Sequence, residues 1–191
     1  LGSRIRSDGK SASLTAPSGK AQMRLLNEVL AAAGTSSLSL VEAHGTGTPL
    51  GDPTEMGGLE NPLESSIPCL GGVKANFGHT EPAAGLLGLM ALVRGARQEA
   101  GAANAQLRIV NPMVGPRLHH TGGRLPTQLL DLIVEAAGVS SFGYSGTIVH
   151  AIIKRFVSAT DSHEMPVQIL LYQRRSFSWC EVSHPFIQFR Q

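Results

Sequence analysis

The sequence has few charges and few aromatic residues. Charged residues make up 16% of its 191 positions and aromatic residues 5%. No uninterrupted apolar run approaches the roughly 20 residues that span a bilayer, so no membrane span is expected. The formal net charge of +2 comes without a dense basic block or interleaved aromatic residues, and it therefore gives no case for a nucleic-acid partner.

Cysteine is also scarce, with only Cys69 and Cys180 in the chain. Two scattered cysteines form neither a disulfide framework nor a zinc site, and they suit a reducing compartment. We therefore expect the protein to be cytoplasmic, or to lie in a plastid if its source is eukaryotic. The first residue is Leu1, and the opening residues lack the apolar core of a secretory signal. The chain is accordingly interpreted as a piece of a longer protein.

What the sequence does contain is α/β patterning rich in glycine. Residues 1–20 are interpreted as a polar lead-in, and the apolar spacing of residues 25–33 predicts an amphipathic helix that ends at Gly34. Residues 57–68 are predicted to form a loop. Farther along, residues 105–110 are predicted to form a short strand and residues 129–136 a helical turn.

His44 lies in a small-residue loop after a predicted strand at residues 38–43. The next helix is predicted to start with a capping box, in which Asp52 is the N-cap and Glu55 is the third helical residue. This gives both acids a structural role. His44 has a structural and a functional interpretation, because loops at strand ends often carry chemistry.

A second group of titratable residues lies at a predicted strand-to-helix corner. The strand is predicted at residues 70–74 with Lys74 at its end, and Thr80 and Pro82 then open a helix. Lys74, His79 and Glu81 should therefore meet at the carboxyl end of a strand, where open α/β proteins keep their chemistry. We expect Lys74 and Glu81 to form an orienting ion pair.

The helix after this corner is apolar all round, which predicts burial on all sides. Its Gly85 and Gly88 should allow unusually close packing. The adjacent His119 and His120 are expected in a loop, and their spacing does not favour a metal site. A loop holding Phe142 should line a pocket before an interior strand at residues 148–153.

Three separated stretches resemble the β-ketoacyl synthase family, and in particular the ketosynthase domain of type I polyketide synthases. They are residues 41–48 (VEAHGTGT) with 51–53, residues 74–85 (KANFGHTEPAAG) and residues 140–147 (SSFGYSGT). Their order and approximate separations also match. The resemblance covers roughly residues 1–155, and residues 156–191 resemble the linker that follows some of these domains.

The resemblance implies an α/β, thiolase-like fold made of two similar halves, of which this chain holds the second βαβαβαββ half and an irregular tail. It implies a decarboxylative Claisen condensation of acyl thioesters with a malonyl-type extender, in polyketide or fatty acid biosynthesis. His44 and His79 resemble the catalytic histidines, which promote loss of carbon dioxide and stabilise the enolate. The other implied site residues are Lys74 and Glu81, which order the site, and Phe142, Gly143, Thr46 and Thr48, which line or gate the acyl pocket.

The implied partners follow from the same resemblance. No cofactor is expected to bind directly and no metal is expected, because the substrates arrive on the phosphopantetheine of an acyl carrier protein. The other expected partners are the missing N-terminal half of the ketosynthase and, in the complete protein, a second copy in a homodimer.

The sequence departs from the family pattern in one chemically important way. The family's nucleophile is a Cys at a helix N-terminus, where the dipole favours the thiolate. Neither Cys69 nor Cys180 occupies that context, so the fragment alone is expected to be inactive. Smaller departures are a short loop after Glu55, Ala91 in place of a Lys, and Ile148 with Val149 in place of Asn-Ala.

Two other functions stay open. A non-catalytic thiolase-fold partner, such as a chain-length factor or a decarboxylase-like relative, would lack the nucleophile, although the presence of both His44 and His79 argues against a purely structural role. A serine hydrolase is suggested by Ser145, but Thr147 stands where the G-x-S-x-G pattern needs Gly. The fragment itself could also serve only as an interaction module.

Overall fold

A mixed five-stranded sheet forms the centre of the fold. The computed structural model describes residues 1–9, 16–63, 68–105 and 107–155. In sheet order the strands are β1 (Gly2–Ser7), β7 (Thr147–Lys154), β6 (Ala136–Phe142), β2 (Leu40–Glu42) and β3 (Cys69–Gly71). Strands β6, β2 and β3 are parallel, whereas β7 pairs antiparallel with both β6 and β1.

Helix α1 (Gly19–Ala33) covers one face of the sheet. The Ser18 side chain accepts a hydrogen bond from the Ala21 amide, and Gly34 ends the helix with a left-handed φ of 60°. These observations confirm the predicted helix and its glycine cap. Its buried residues are Ala21, Gln22, Leu25, Leu26, Val29 and Leu30.

Helix α4 (Ala84–Gln98) covers the opposite face. Ala84, Gly88 and Leu92 are buried, four residues apart, but Leu86 is 63% exposed and Met90 is 62% exposed. The predicted burial on all sides is therefore wrong: helical geometry turns only one stripe towards the sheet. The close packing expected at the glycines is confirmed, because a Cβ at Gly88 would lie 3.3 Å from the Val139 side chain.

The remaining elements are shorter than α1 and α4. Helix α2 (Gly51–Glu60) continues as a 3₁₀ turn (Asn61–Leu63), and a second 3₁₀ turn (Glu81–Ala83) leads directly into α4. The other short elements are α3 (Val73–Phe77), β4 (Ala100–Gly101), α5 (Gly115–Thr121) and β5 (Leu130–Asp131). Strands β4 and β5 pair in antiparallel fashion and form a small second sheet.

Several local predictions are corrected by this architecture. The polar lead-in contains β1, an edge strand with mostly exposed residues whose partner is distant in sequence. The predicted loop at 57–68 is helical up to residue 63, and residues 64–67 lie outside the described part of the chain. The described residues within 105–110 form no strand. Residues 129–136 contain strand β5 and the first residue of β6 where a helical turn was predicted.

Two further outcomes concern the rest of the chain. His119 and His120 lie on helix α5, so their predicted loop is also wrong. The predicted interior strand at 148–153 is confirmed by β7. The tail at 156–191 lies outside the described residues. None of the described helices is long and apolar enough to span a membrane.

Candidate active site

The His44 loop is held by a buried acid from the next helix. One carboxylate oxygen of Glu55 accepts the His44 amide at 2.8 Å, and the other accepts the Gly45 amide at 3.0 Å. Burial raises the pKa of Glu55, and these two amides oppose that rise. Glu55 therefore supports the backbone on which His44 is mounted.

This arrangement corrects the predicted capping box. Helix α2 already begins at Gly51, whose amide donates to the Thr48 hydroxyl at 3.0 Å. Asp52 instead accepts the Gly47 amide at 3.1 Å. The two acids thus bind the loop before the helix, because the chain turns back over α2 and presents its amides to their side chains.

The second histidine is reached through a sharp turn. Strand β3 ends at Gly71, and Lys74 lies on the short helix α3, so its predicted place at the end of a strand is wrong. Gly78 takes a φ of 80° after this helix. The chain then reaches His79, whose Nδ1 accepts the Glu81 amide at 2.8 Å. Glu81 itself has a φ of 47°, which only a few non-glycine residues adopt.

The two imidazoles come together although they lie on different loops. Their ring centroids are 5.9 Å apart, in an edge-on arrangement at 85°. The Phe142 ring lies 5.1 Å from the His44 ring, and the Phe142 amide donates to Nδ1 of His44 at 3.3 Å. Since Nδ1 of each histidine accepts a main-chain N–H, the neutral form of each ring carries its proton on Nε2.

The electrostatic environment favours a neutral His44. Its pKa is lowered from 6.5 to about 4, chiefly by burial and also by the nearby charges of Lys74 and His79. Burial also lowers the pKa of Lys74, whereas the negative charges of Glu55 and Glu42 oppose that change. At neutral pH, His44 is therefore a hydrogen-bond donor through Nε2.

The ion pair predicted between Lys74 and Glu81 is wrong. Within the described ranges, no ion pair joins these two side chains. Glu81 is exposed, and it acts on His79 through its main-chain amide. Lys74 is instead influenced by the negative charges of Glu55 and Glu42.

Two cavities adjoin the histidines. One has a volume of about 720 Å³ and the other about 1020 Å³; both are lined by His79 and Thr46. Lys74 lines the larger one. Six of the eight sequence-predicted site residues line the smaller cavity, namely His44, His79, Thr46, Thr48, Phe142 and Gly143.

Some residues of the site were missed in the sequence. Glu42 ends strand β2 and is 6% exposed, and its carboxyl group accepts the Val73 amide at 2.6 Å. Asn104 is buried and donates to the carbonyl oxygens of Leu70 and Pro126. An acid inside a short apolar strand was the available signal for Glu42, whereas no local pattern marks Asn104.

The remaining candidate residues in the described part of the chain form no second site. Among the described residues, no group of three or more His, Cys, Asp or Glu side chains could hold a metal ion. Cys69 is buried, and its burial raises the thiol pKa to about 11, which opposes thiolate formation. Ser145 lies in an exposed turn. Among the described residues, a hydrogen bond between a serine and a histidine side chain is formed instead in the interior, where the Ser140 hydroxyl lies 3.0 Å from Nδ1 of His150.

Residues 1–108 match the family model described as "Beta-ketoacyl synthase, C-terminal domain". The chain belongs to the β-ketoacyl synthase family. This C-terminal ketosynthase domain is 39% identical over 173 residues to a mycoketide-CoA synthase of Mycobacterium tuberculosis, covering 81% of the chain and 4% of the relative. It is 39% identical over 159 residues to a highly reducing polyketide synthase of Cordyceps militaris, covering 78% of the chain and 6% of the relative. The ketosynthase chain thus spans less than a tenth of either relative.

Solved ketosynthases share the fold. The oxazolomycin ketosynthase domain OzmH KS7 of Streptomyces albus superposes with a TM-score of 0.76 at 30% identity, covering 82% of this chain and 29% of that one. The ketosynthase from module 6 of the bacillaene synthase of Bacillus subtilis 168 gives 0.75 at 33% identity, covering 82% and 30%. The expected C-terminal half of a thiolase-like fold is confirmed, and its βαβαβαββ core is β1-α1-β2-α2-β3-α4-β6-β7.

Proposed function

We propose that this chain supplies the two-histidine half of a ketosynthase active site. The complete enzyme would join an acyl thioester to a malonyl-type extender that an acyl carrier protein presents on its phosphopantetheine arm. The observation that supports this proposal is the pair of imidazoles, each with Nδ1 engaged by a main-chain amide and Nε2 left for a ligand.

Two converging N–H donors suit the charge that develops during decarboxylation. When carbon dioxide leaves the malonyl group, the electron pair of the broken C–C bond delocalises onto the thioester oxygen. Hydrogen bonds from Nε2 of His44 and His79 would stabilise this enolate oxygen, and a preorganised donor of this kind contributes about 3 kcal/mol. The enolate carbon then attacks the acyl thioester, forming a new C–C bond as the C–S bond breaks and the thiolate leaves.

The other predicted site residues have roles around this centre. The smaller cavity would receive the extender, and Thr46 and Thr48 line it beside the two histidines. Phe142 contacts the His44 ring, and with Gly143 it would gate the acyl pocket. Lys74 would orient the site through the field that it shares with Glu55 and Glu42.

The nucleophile belongs to the part of the ketosynthase that precedes these residues. The complete domain would be a homodimeric, cytoplasmic acyltransferase, and this chain alone would be inactive. Consistent with that view, the chain covers under a third of the solved ketosynthase domains. The proposed partners are therefore the upstream half, an acyl carrier protein and a second subunit.

The proposal is tested in a complete ketosynthase that contains this chain. We expect His79→Ala to reduce release of labelled carbon dioxide from a malonyl thioester by at least about 100-fold, because one enolate donor is lost. The matched control is His119→Ala, since His119 is exposed on α5. Unaltered decarboxylation in the His79 variant would refute the assigned role.

The residue at the upstream nucleophile position separates condensation from its nearest alternative. A Cys at a helix N-terminus there supports acyl transfer. Gln in its place, with decarboxylation but no condensation, would instead assign a decarboxylating thiolase-fold partner. Labelling of Ser145 by a fluorophosphonate probe, with loss of labelling in Ser145→Ala, would overturn both in favour of a serine hydrolase.

A further inference from the structure

A buried acid supports the segment that leads to His79. Glu42 is the last residue of β2, and its side chain lies on the sheet face covered by α4, where a Cβ on Gly88 would lie 3.5 Å from its Cγ. Glutamate is rarely buried unless it has a partner. The position of Glu42 therefore calls for a physical reason.

Two glycines make room for this side chain. Gly71 is the register partner of Glu42 in β3, and a Cβ at Gly71 would lie only 2.5 Å from Oε2 of the glutamate. Gly88 opens the same space from the helix side. A carboxyl group thus fills a volume in which neighbouring strand and helix residues have no side chains.

The carboxyl group makes one decisive contact. Its Oε1 accepts the amide of Val73, the first residue of α3, at 2.6 Å. First-turn amides have no partner within their own helix, and the preceding Gly72 has no side chain that could serve. Glu42, on the neighbouring strand β2, therefore supplies the hydrogen-bond acceptor for the Val73 amide that Gly72 cannot supply.

We infer that Glu42 is a positioning residue for His79, because its carboxyl group fixes the start of the helix that carries Lys74 and leads through Gly78 to the imidazole. The inference rests on the proposed function for the role of His79. Its test measures hydrogen bonding, however, so it can fail while the decarboxylation assay succeeds.

The hydrogen bond between Glu42 and the Val73 amide should be detectable in solution through the titration of Glu42. The Glu42 pKa is raised from 4.5 to about 7, chiefly by burial and also by Glu55, although the Val73 amide and Lys74 act against the rise. The Cys69 thiol on β3 also faces this charge. The Val73 amide should therefore sense a titration near neutral pH.

The experiment uses a complete ketosynthase that contains this chain, labelled with ¹⁵N. In the wild type, the Val73 amide shift should titrate with a midpoint near pH 7, the value to which burial raises the Glu42 carboxyl. Glu42→Gln keeps an oxygen acceptor of the same size, so the titration should disappear while Val73 stays protected from hydrogen exchange. Glu42→Leu should accelerate Val73 exchange by about tenfold, which corresponds to one lost hydrogen bond.

Two further signals separate positioning from general loss of stability. The Ile152 amide, in the core strand β7, should keep its wild-type exchange rate in Glu42→Leu, whereas the His79 side-chain nitrogens should shift. Equal acceleration at Val73 and Ile152 would overturn the inference. If the Leu variant does not fold, Glu42→Gln decides alone: wild-type protection at Val73 supports the inference, and lost protection overturns it.

Discussion

The two histidine loops reach similar ring geometry by different means. The His44 loop is tied to distant parts of the chain, since its amide binds Glu55 and its ring accepts the amide of Phe142, 98 residues away. The His79 loop is local: Nδ1 binds the amide only two residues ahead. His44 is half-buried, whereas His79 is exposed.

This difference separates what each imidazole depends on. Both neutral rings present Nε2–H, but His44 requires the packed core to bring three separate segments together. His79 requires a particular backbone turn, including the positive φ of Glu81. Substitution of Glu55 should therefore disturb mainly the first histidine, and substitutions that change the backbone of residues 78–81 mainly the second.

The largest effect is expected from Glu55→Leu. Removing this carboxylate leaves the amides of His44 and Gly45 without their acceptor, which should reduce the free energy of unfolding by about 2–5 kcal/mol. Urea unfolding measures the loss, and Glu55→Gln should lose less because one oxygen remains. The His44 side-chain nitrogens should shift more than those of His79. Equal shifts in both rings would remove the distinction between the loops.

An intermediate effect is expected from the pH dependence of His44. Its pKa is lowered from 6.5 to about 4, so between these values the unfolded chain binds a proton that the folded chain does not. The resulting stability is complete above pH 6.5 and is lost as pH falls towards 4. Allowing for partial exposure, the loss should be about 1–2 kcal/mol.

His44→Gln should remove the part of the acid destabilisation that comes from His44. Burial also lowers the pKa of His150 to about 4, so His150 destabilises the fold in acid in the same way and should continue to do so in the variant. Unfolding free energies at several pH values measure the slope. An NMR titration in which His44 protonates near its ordinary pKa would contradict this prediction.

The smallest effect is expected from Glu81→Ala. The exposed side chain has no role in the contact, because the main-chain amide is the donor. The free energy of unfolding should change by less than about 0.5 kcal/mol, and Nδ1 of His79 should remain an acceptor in ¹⁵N spectra. Glu81→Pro removes the N–H and restricts φ to negative values, so that signal should be lost. Loss of the His79 Nδ1 acceptor signal in Glu81→Ala as well would show that the Glu81 side chain contributes to this contact.

The elements with strong periodicity could be predicted from the sequence. The apolar spacing of α1 and its Gly34 cap are local signals, as is the β-branched run of β7. The convergence of His44 and His79 could also be predicted, because each follows a strand that ends at the same edge of the sheet. Patterns that repeat over several residues, such as the apolar spacing of α1 and the β-branched run of β7, therefore predicted these elements correctly.

The errors occurred where distant contacts override local patterns. Asp52 and Glu55 have capping-box spacing, but the preceding loop supplies closer amides. Strand β1 has almost no apolar alternation, because it is an exposed edge strand defined by pairing with β7. The burial of Glu42 depends on Gly71 and Gly88, which lie far from it in the sequence. None of these partners is visible within a local window.

The pairing of β1 with β7 has a consequence for the order of folding. Gly2 lies opposite Ile152, so the outermost strand joins residues from the two ends of the described unit. Closing so long a loop is entropically slow, which places this pairing late in folding. During synthesis β1 remains without its partner until β7 has emerged, and its polar, arginine-containing sequence disfavours pairing with other chains in the meantime.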